Sequence, residues 1–281
     1  MKICIAGVGL IGGSLALDLK KRGFASCVIG VDSSRQHALT ARLNSLVDEV
    51  DELESAVDRS DLIILATPVN SIKQMLPLIL DRVGGTTKVV TDMGSTKVSI
   101  GELVKNHPNR HHYVASHPMA GTEHSGPLAA TGKLFDQKCA IICDSEKSAA
   151  FALEVVEKMF GVLNMAVIRM DSREHDISAA YVSHISHISS FALSLCVLEK
   201  EKNEKRMLSL AGGGFTSTVR LAKSSAEMWA PVFEQNESFV LEVIDTYIEK
   251  LQQFKKCIAN KDAAGVSKLI VKANEIRKII R

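Results

Sequence analysis

The sequence lacks most of the features that assign a chain to a specialised class at sight. No apolar run of the ~18 residues needed to cross a bilayer stands out, and no charged-then-apolar leader precedes the strand-like run at Lys2. A cytoplasmic protein with no membrane partner is therefore expected. Charge of one sign is also missing: 34 basic residues face 32 acidic ones, a formal net charge of +2 with no concentrated basic patch, which argues against nucleic acid as a partner. The lysine-rich run 199–206 (EKEKNEKR) alternates in sign and reads as a solvated helix end or loop. Six cysteines, Cys4, Cys27, Cys139, Cys143, Cys196 and Cys257, are scattered without zinc spacing or a disulfide framework. Low-complexity segments and internal repeats are absent too.

What is present is an ordinary globular composition, 46% hydrophobic and 23% charged, in 281 residues, a length that suggests two domains. The first part alternates short β-branched runs with helix-period segments. Strands are expected at 2–7, 27–32, 61–67, 88–92 and 112–116, with helices at 11–22, 34–44, 70–82 and 95–106 between them. A further strand pair, 139–144 and 165–170, flanks a helix at 147–160. This pattern predicts an α/β, Rossmann-type doubly wound parallel sheet over residues 1–170. Beyond Met170 only helical periods remain, at about 173–198, 204–210, 217–226, 229–257 and 262–280, broken chiefly at Gly212-Gly213-Gly214. Residues 171–281 are expected to form an all-α domain that contributes to a dimer. The segment Ala179 to Leu198 is apolar on most faces, as a domain core or a homodimer interface requires.

The run Gly7-Val8-Gly9-Leu10-Ile11-Gly12 leaves strand KICIA and opens a helix, the context that makes a G-x-G-x-x-G pattern informative. Gly7 permits a tight turn, Gly9 lets the backbone approach a pyrophosphate at the helix N-terminus, and Gly12 lets helix and strand pack closely. Asp32 closes the next strand, where a carboxylate accepts hydrogen bonds from ribose hydroxyls and repels a 2′-phosphate. NAD is accordingly the expected cofactor, with Arg35 the one nearby cation able to hold the phosphate of NADP. Thr67 and Pro68 end the third strand and are expected to line the same crevice.

Two polar loops follow the next two strands, 92–97 (DMGSTK) and 116–123 (SHPMAGTE). Ser95 has two readings, the N-cap of the following helix or a hydrogen-bonding group at the site. His117 is either a satisfied loop histidine or a base. His184 and His187 lie one helical turn apart, but no acidic or cysteine partner stands at ligand spacing, and no metal is expected. Asp176 can cap a helix or, with His175, close the site. Trp229 and Phe215 read as core residues.

The GVGLIGGS start, the D-x-GS-x-K loop at 92–97, SHPMAGTEHSG at 116–126, Glu174-His175-Asp176, Ser183-His184-x-x-His187 and the GGGF…R-x-AKS…MW run at 212–229 occur in this order. Together they resemble the prephenate dehydrogenase family, which includes arogenate enzymes. The resemblance implies NAD-dependent oxidative decarboxylation of prephenate to 4-hydroxyphenylpyruvate in tyrosine biosynthesis. It implies His117 as base on the ring hydroxyl, Ser95 beside it, Arg220 as a contact to one of the substrate's two carboxylates, and His187 facing the substrate. A guanidinium suits that task, since it grips a carboxylate with two parallel N–H bonds. Between GGGF and Arg220 the chain reads Thr216-Ser217-Thr218-Val219, where many members carry a charged pair. That departure bears on how prephenate is told from arogenate.

Overall fold

The computed structural model describes residues 1–202 and 208–279. Among the described residues eight strands form one sheet, β1 (Lys2–Ala6), β2 (Cys27–Val31), β3 (Glu49–Val50), β4 (Leu62–Leu65), β5 (Val89–Asp92), β6 (Tyr113–Pro118), β7 (Cys139–Cys143) and β8 (Ala166–Met170), in the order β3-β2-β1-β4-β5-β6-β7-β8. Around them lie α1 (Leu10–Lys21), α2 (Arg35–Leu43), α3 (Leu53–Asp58), α4 (Val69–Val83), α5 (Val98–Val104) and α6 (Ala150–Val162). Period-two alternation along β1 shows why both faces need cover. Ile3 and Ile5 join one core with Leu15, Leu19, Val156 and Phe160, whereas Cys4 and Ala6 join the other with Ile72, Leu76 and Leu80. Each such aliphatic side chain contributes about 1.5–3 kcal/mol on leaving water.

The sheet is the expected doubly wound one, parallel except at one place. β6 and β7 run antiparallel, Ser116 opposite Ile142. No helix crosses between them; residues 119–138 form a loop with a single 3₁₀ turn at Pro127–Ala129, whereas a parallel return usually runs through a crossover helix. β3 and α3 were not anticipated, since a two-residue strand carries no readable alternation.

A second group of helices follows: α7 (Ser172–Ala179), α8 (Ile185–Glu201), α9 (Gly213–Thr218), α10 (Ala226–Gln235), α11 (Glu237–Ala259) and α12 (Ala263–Ala273). A π-helical turn, Ala180–His184, joins α7 to α8. The expected helix at 217–226 is instead the end of α9, a 3₁₀ turn at Arg220–Lys223 and the start of α10. Gly213 and Gly214 start α9 instead of breaking the chain. The expected helix at 229–257 is split at Asn236, and that at 204–210 falls largely outside the described residues. The chain divides into two compact units, Met1–Asn236 and Glu237–Arg281, so α7 to α10 group with the sheet. In the second unit α11 and α12 pack on each other as a helical hairpin. The helix Ser172–Glu201 also corrects the reading of apolar runs: an 18-residue window in it has mean hydropathy 1.3, yet only 11% of that window is buried within the single chain. Such a face needs cover.

Candidate active site

The carboxyl ends of β1, β2 and β4 meet at the glycine turn. A Cβ at Gly7, which has φ +91°, would lie 2.6 Å from the Ala66 carbonyl oxygen, and one at Gly12 would lie 1.8 Å from the Gly7 carbonyl oxygen. Gly9 differs, because its nearest neighbour would be 3.9 Å away at Gly126. The first two glycines are thus required by the protein's own packing, and the third leaves room for something else. Gly9 is also the N-cap of α1 and offers no side-chain cap, so the amides of Leu10 and Ile11 at the helix start remain available for an anion. The Asp32 carboxylate is held at the mouth of this turn by the Val8 N–H at 3.1 Å and the Ser34 N–H at 2.9 Å. Thr67 packs its methyl group toward Gly7 and its hydroxyl is buried without a partner, and Pro68 caps α4 beside it. These residues fit a dinucleotide: a cradle only glycine can form, an acceptor at the ribose position and an unspent hydroxyl.

The ends of β5 and β6 are tied by a fully buried ion pair, Lys97 with Asp92. Asp92 also accepts from the Tyr113 hydroxyl at 2.6 Å and the Gly94 N–H at 2.9 Å, and Lys97 donates to the Ser116 carbonyl at 2.7 Å. With its acceptors spoken for, the buried pair clamps the two loops that carry Ser95 and His117. Ser95 is half-buried in the turn before α5; the helix starts only at Val98, so the N-cap reading of Ser95 is corrected. The cap comes from far along the chain, because Asp176 on α7 accepts from the N–H groups of Lys97 at 2.8 Å and Val98 at 2.9 Å.

Asp176 also orders the histidines. Its carboxylate lies 2.7 Å from His175 Nδ1, and His175 Nε2 lies 2.8 Å from His117 Nδ1. An ionised carboxylate only accepts, so His175 Nδ1 carries a proton and, in the neutral ring, Nε2 carries a lone pair. His117 Nδ1 must then be the donor. His117 Nε2 is left as a bare lone pair. Burial, with His175, Lys97 and His184 nearby, pushes the His117 pKa well below the ordinary histidine value, so the ring is uncharged at neutral pH.

On the other side, the π turn places His184 and His187. His187 Nδ1 donates to the Ser183 carbonyl at 3.1 Å, and its ring stacks on Trp229 with centroids 3.6 Å apart. Burial and the nearby Arg220 lower its pKa, against the pull of the Ser183 carbonyl. Arg220, half exposed on its 3₁₀ turn, donates to Glu123 at 2.5 Å, which links that turn to the loop after His117. His184 is buried edge-on against Trp229 and receives a hydrogen bond from Asn236.

The structure therefore connects His117 to His187 through contacting groups, and it puts Arg220 beside His187. Sequence reasoning missed Asn236 and Glu123, gave Lys97 and Asp92 no task, and placed Trp229 in the core alone. The D-x-GS-x-K spacing was the available signal for the ion pair. Among the described residues, no group of three or more histidine, cysteine, aspartate or glutamate side chains is arranged to hold a metal ion.

Comparison with known proteins bears on this geometry. The family model "Prephenate dehydrogenase, nucleotide-binding domain" matches residues 15–169, and "Prephenate dehydrogenase, dimerization domain" matches 171–272. The Bacillus subtilis prephenate dehydrogenase is 30% identical over 277 residues, covering 98% of this chain and 75% of that protein. The structure of the Aquifex aeolicus prephenate dehydrogenase in complex with hydroxyphenyl propionate and NAD+ superposes with a TM-score of 0.88 at 26% identity, covering 100% of this chain and 98% of that one. The Synechocystis arogenate dehydrogenase does so with a TM-score of 0.77 at 26% identity over the whole of both chains. With both halves matched and a relative 30% identical over 98% of this chain, the chain belongs to the prephenate dehydrogenase family of oxidoreductases.

Proposed function

We propose that this protein oxidises prephenate with NAD in tyrosine biosynthesis, using His117 as base, and releases carbon dioxide and 4-hydroxyphenylpyruvate. The observation that carries the reading is the chain of hydrogen bonds from Asp176 through His175 to His117, which leaves His117 Nε2 bare and uncharged. Such a nitrogen accepts the proton of a ring hydroxyl. When bound, NAD takes up the hydride that leaves the carbinol carbon. Asp32 favours NAD over NADP, because its carboxylate repels a 2′-phosphate.

His117 takes the hydroxyl proton, and its Nδ1–H bond to His175 strengthens as the ring becomes charged. Ser95, on the clamped loop, hydrogen-bonds the same hydroxyl and holds it toward the base. His187 and Arg220 hold the substrate's carboxylates, Arg220 by a charge-assisted contact that competes with Glu123. The carbon–carbon bond to the ring carboxylate then breaks, its electron pair enters the ring, and the product is aromatic. Glu123 favours a second reading as well: a carboxylate beside Arg220 can face an ammonium group, as arogenate carries.

The same reading assigns residues 1–170 to NAD and 171–281 to substrate and to a second copy of the chain. Tyr181, Val182, Leu195 and Leu198 stand exposed on the helix whose other face holds His184, and a partner copy covers them. Reduced-nicotinamide absorbance with prephenate and arogenate, each with NAD and with NADP, tests the reading. Signal with prephenate and NAD is expected; silence in all four from folded protein would overturn it.

A further inference from the structure

Asn236 ends α10 and is buried, though the turn it occupies does not require this of it. Its backbone N–H is already bonded to the Val232 carbonyl. Its side chain does not serve its own helix and reaches back in sequence to two groups, the Asp176 carbonyl oxygen at 2.8 Å and His184 Nδ1 at 3.1 Å. The first contact settles the amide's orientation, because a carbonyl only accepts and the group facing it must be the NH2. The second NH2 proton then points at His184 Nδ1. That nitrogen must present a lone pair, so the neutral His184 ring carries its proton on Nε2.

We propose that Asn236 is a positioning residue of this site, its one amide group fixing both the tautomer of His184 and the place of Asp176. The inference rests on the reading of His117 as base and His187 as substrate contact. Through Asp176 the amide steadies the His175–His117 chain. Through His184 it backs the indole of Trp229, whose face His187 stacks upon. The groups facing His184 are Asp176 and His175 on α7, His187 on α8, Asn236, Trp229 and Phe233 on α10, and His117 on β6. Burial lowers the His184 pKa to about 4, opposed by Asp176, so at neutral pH the ring is uncharged and the single proton has one place to be. A residue needed only to end a helix has no such requirement of its donors.

The test uses the full-length protein with ¹⁵N-labelled histidine. Long-range ¹H–¹⁵N correlation spectra at neutral pH, with His184 assigned by loss of its signals in His184→Gln, are expected to show the Nε2–H tautomer. Asn236→Asp is nearly the same size but offers an acceptor to Nδ1, so His184 must move its proton to Nδ1 or take up a second one. Its Nε2–H pattern is expected to disappear and kcat to fall by about 10–10²-fold, with NAD affinity unchanged. Asn236→Leu is expected to lose kcat to a similar extent. A wild-type His184 protonated on Nδ1 alone would overturn the proposal even if neither variant folds, and so would folded Asn236→Asp with kcat within twofold of wild type. Wild-type inactivity toward prephenate would sink the functional reading instead, and the tautomer result would be unaffected by it.

Discussion

Replacing Asp176 by asparagine changes one oxygen to an NH2 and should do disproportionate harm. The carboxylate accepts three hydrogen bonds, from Lys97 N and His175 Nδ1 on one oxygen and from Val98 N on the other. In one orientation the amide NH2 of Asp176→Asn confronts the Val98 N–H and leaves a buried donor unpaired, a cost of about 1–3 kcal/mol, with roughly 1 kcal/mol more for each bond that loses its charge. In the other orientation the NH2 faces His175 Nδ1, which can respond only by giving up its proton. His175 Nε2 then becomes the donor, His117 Nδ1 the acceptor, and His117 Nε2 carries a proton where the base needs a lone pair. A base locked in the wrong tautomer loses up to about 10⁴ in kcat, the loss that the same substitution causes in the serine-protease triad. Steady-state nicotinamide reduction together with thermal unfolding separates the two costs. The expected result is a melting point a few degrees lower and a kcat down by at least about 10²-fold with little change in KM. A folded variant with kcat within threefold of wild type would refute the tautomer argument.

His117→Asn removes the lone pair and keeps the shape, so turnover should fall by about 10²–10⁴-fold while NAD binding, read by titration calorimetry, persists. Arg220→Ala should raise the KM for prephenate about tenfold or more with a smaller change in kcat, and an unchanged KM would make Arg220 structural. Acid should destabilise the fold through His184. Its folded pKa of about 4 lies below the unfolded value of 6.5, so the native state binds fewer protons between them. That stability is fully present above pH 6.5 and is lost as pH falls through about 4, at most about 3 kcal/mol. Urea midpoints at roughly pH 7 and pH 4.5 should therefore differ less in His184→Gln than in wild type.

The parallel part of the sheet was legible because its strands are buried on both faces and read as β-branched runs, as in Leu62-Ile63-Ile64-Leu65. The antiparallel turn of β7 was not. Cys139-Ala140-Ile141-Ile142-Cys143 has the same composition as a parallel strand, and nothing in the strand itself encodes that it pairs antiparallel to β6. The helical half was legible as helix and not as separate elements. Its breaks at Val219 and Asn236 fall where no glycine or proline marks a helix end.

Within the site, Gly7, Gly9, Gly12 and Asp32 could be named from sequence because their task is local: a turn, a close approach, the end of the next strand. His117 could be named as a residue but not as a tautomer. What makes its Nε2 a lone pair is set by His175, 58 residues away, and by an aspartate that also caps a helix 78 residues upstream. The same distance hides Asn236, which lies 60 residues from Asp176 and 52 from His184. A motif records the side chains that face a ligand, because only certain residue types can do the chemistry there. The groups behind them are chosen for donor and acceptor count at a place that exists only once the chain has folded. Asp92, Lys97, His175 and Asp176 fall within short motifs and so leave a trace of their presence, but at the place of Asn236 any residue of the right hydrogen-bonding sense could stand, and local spacing does not mark which one does.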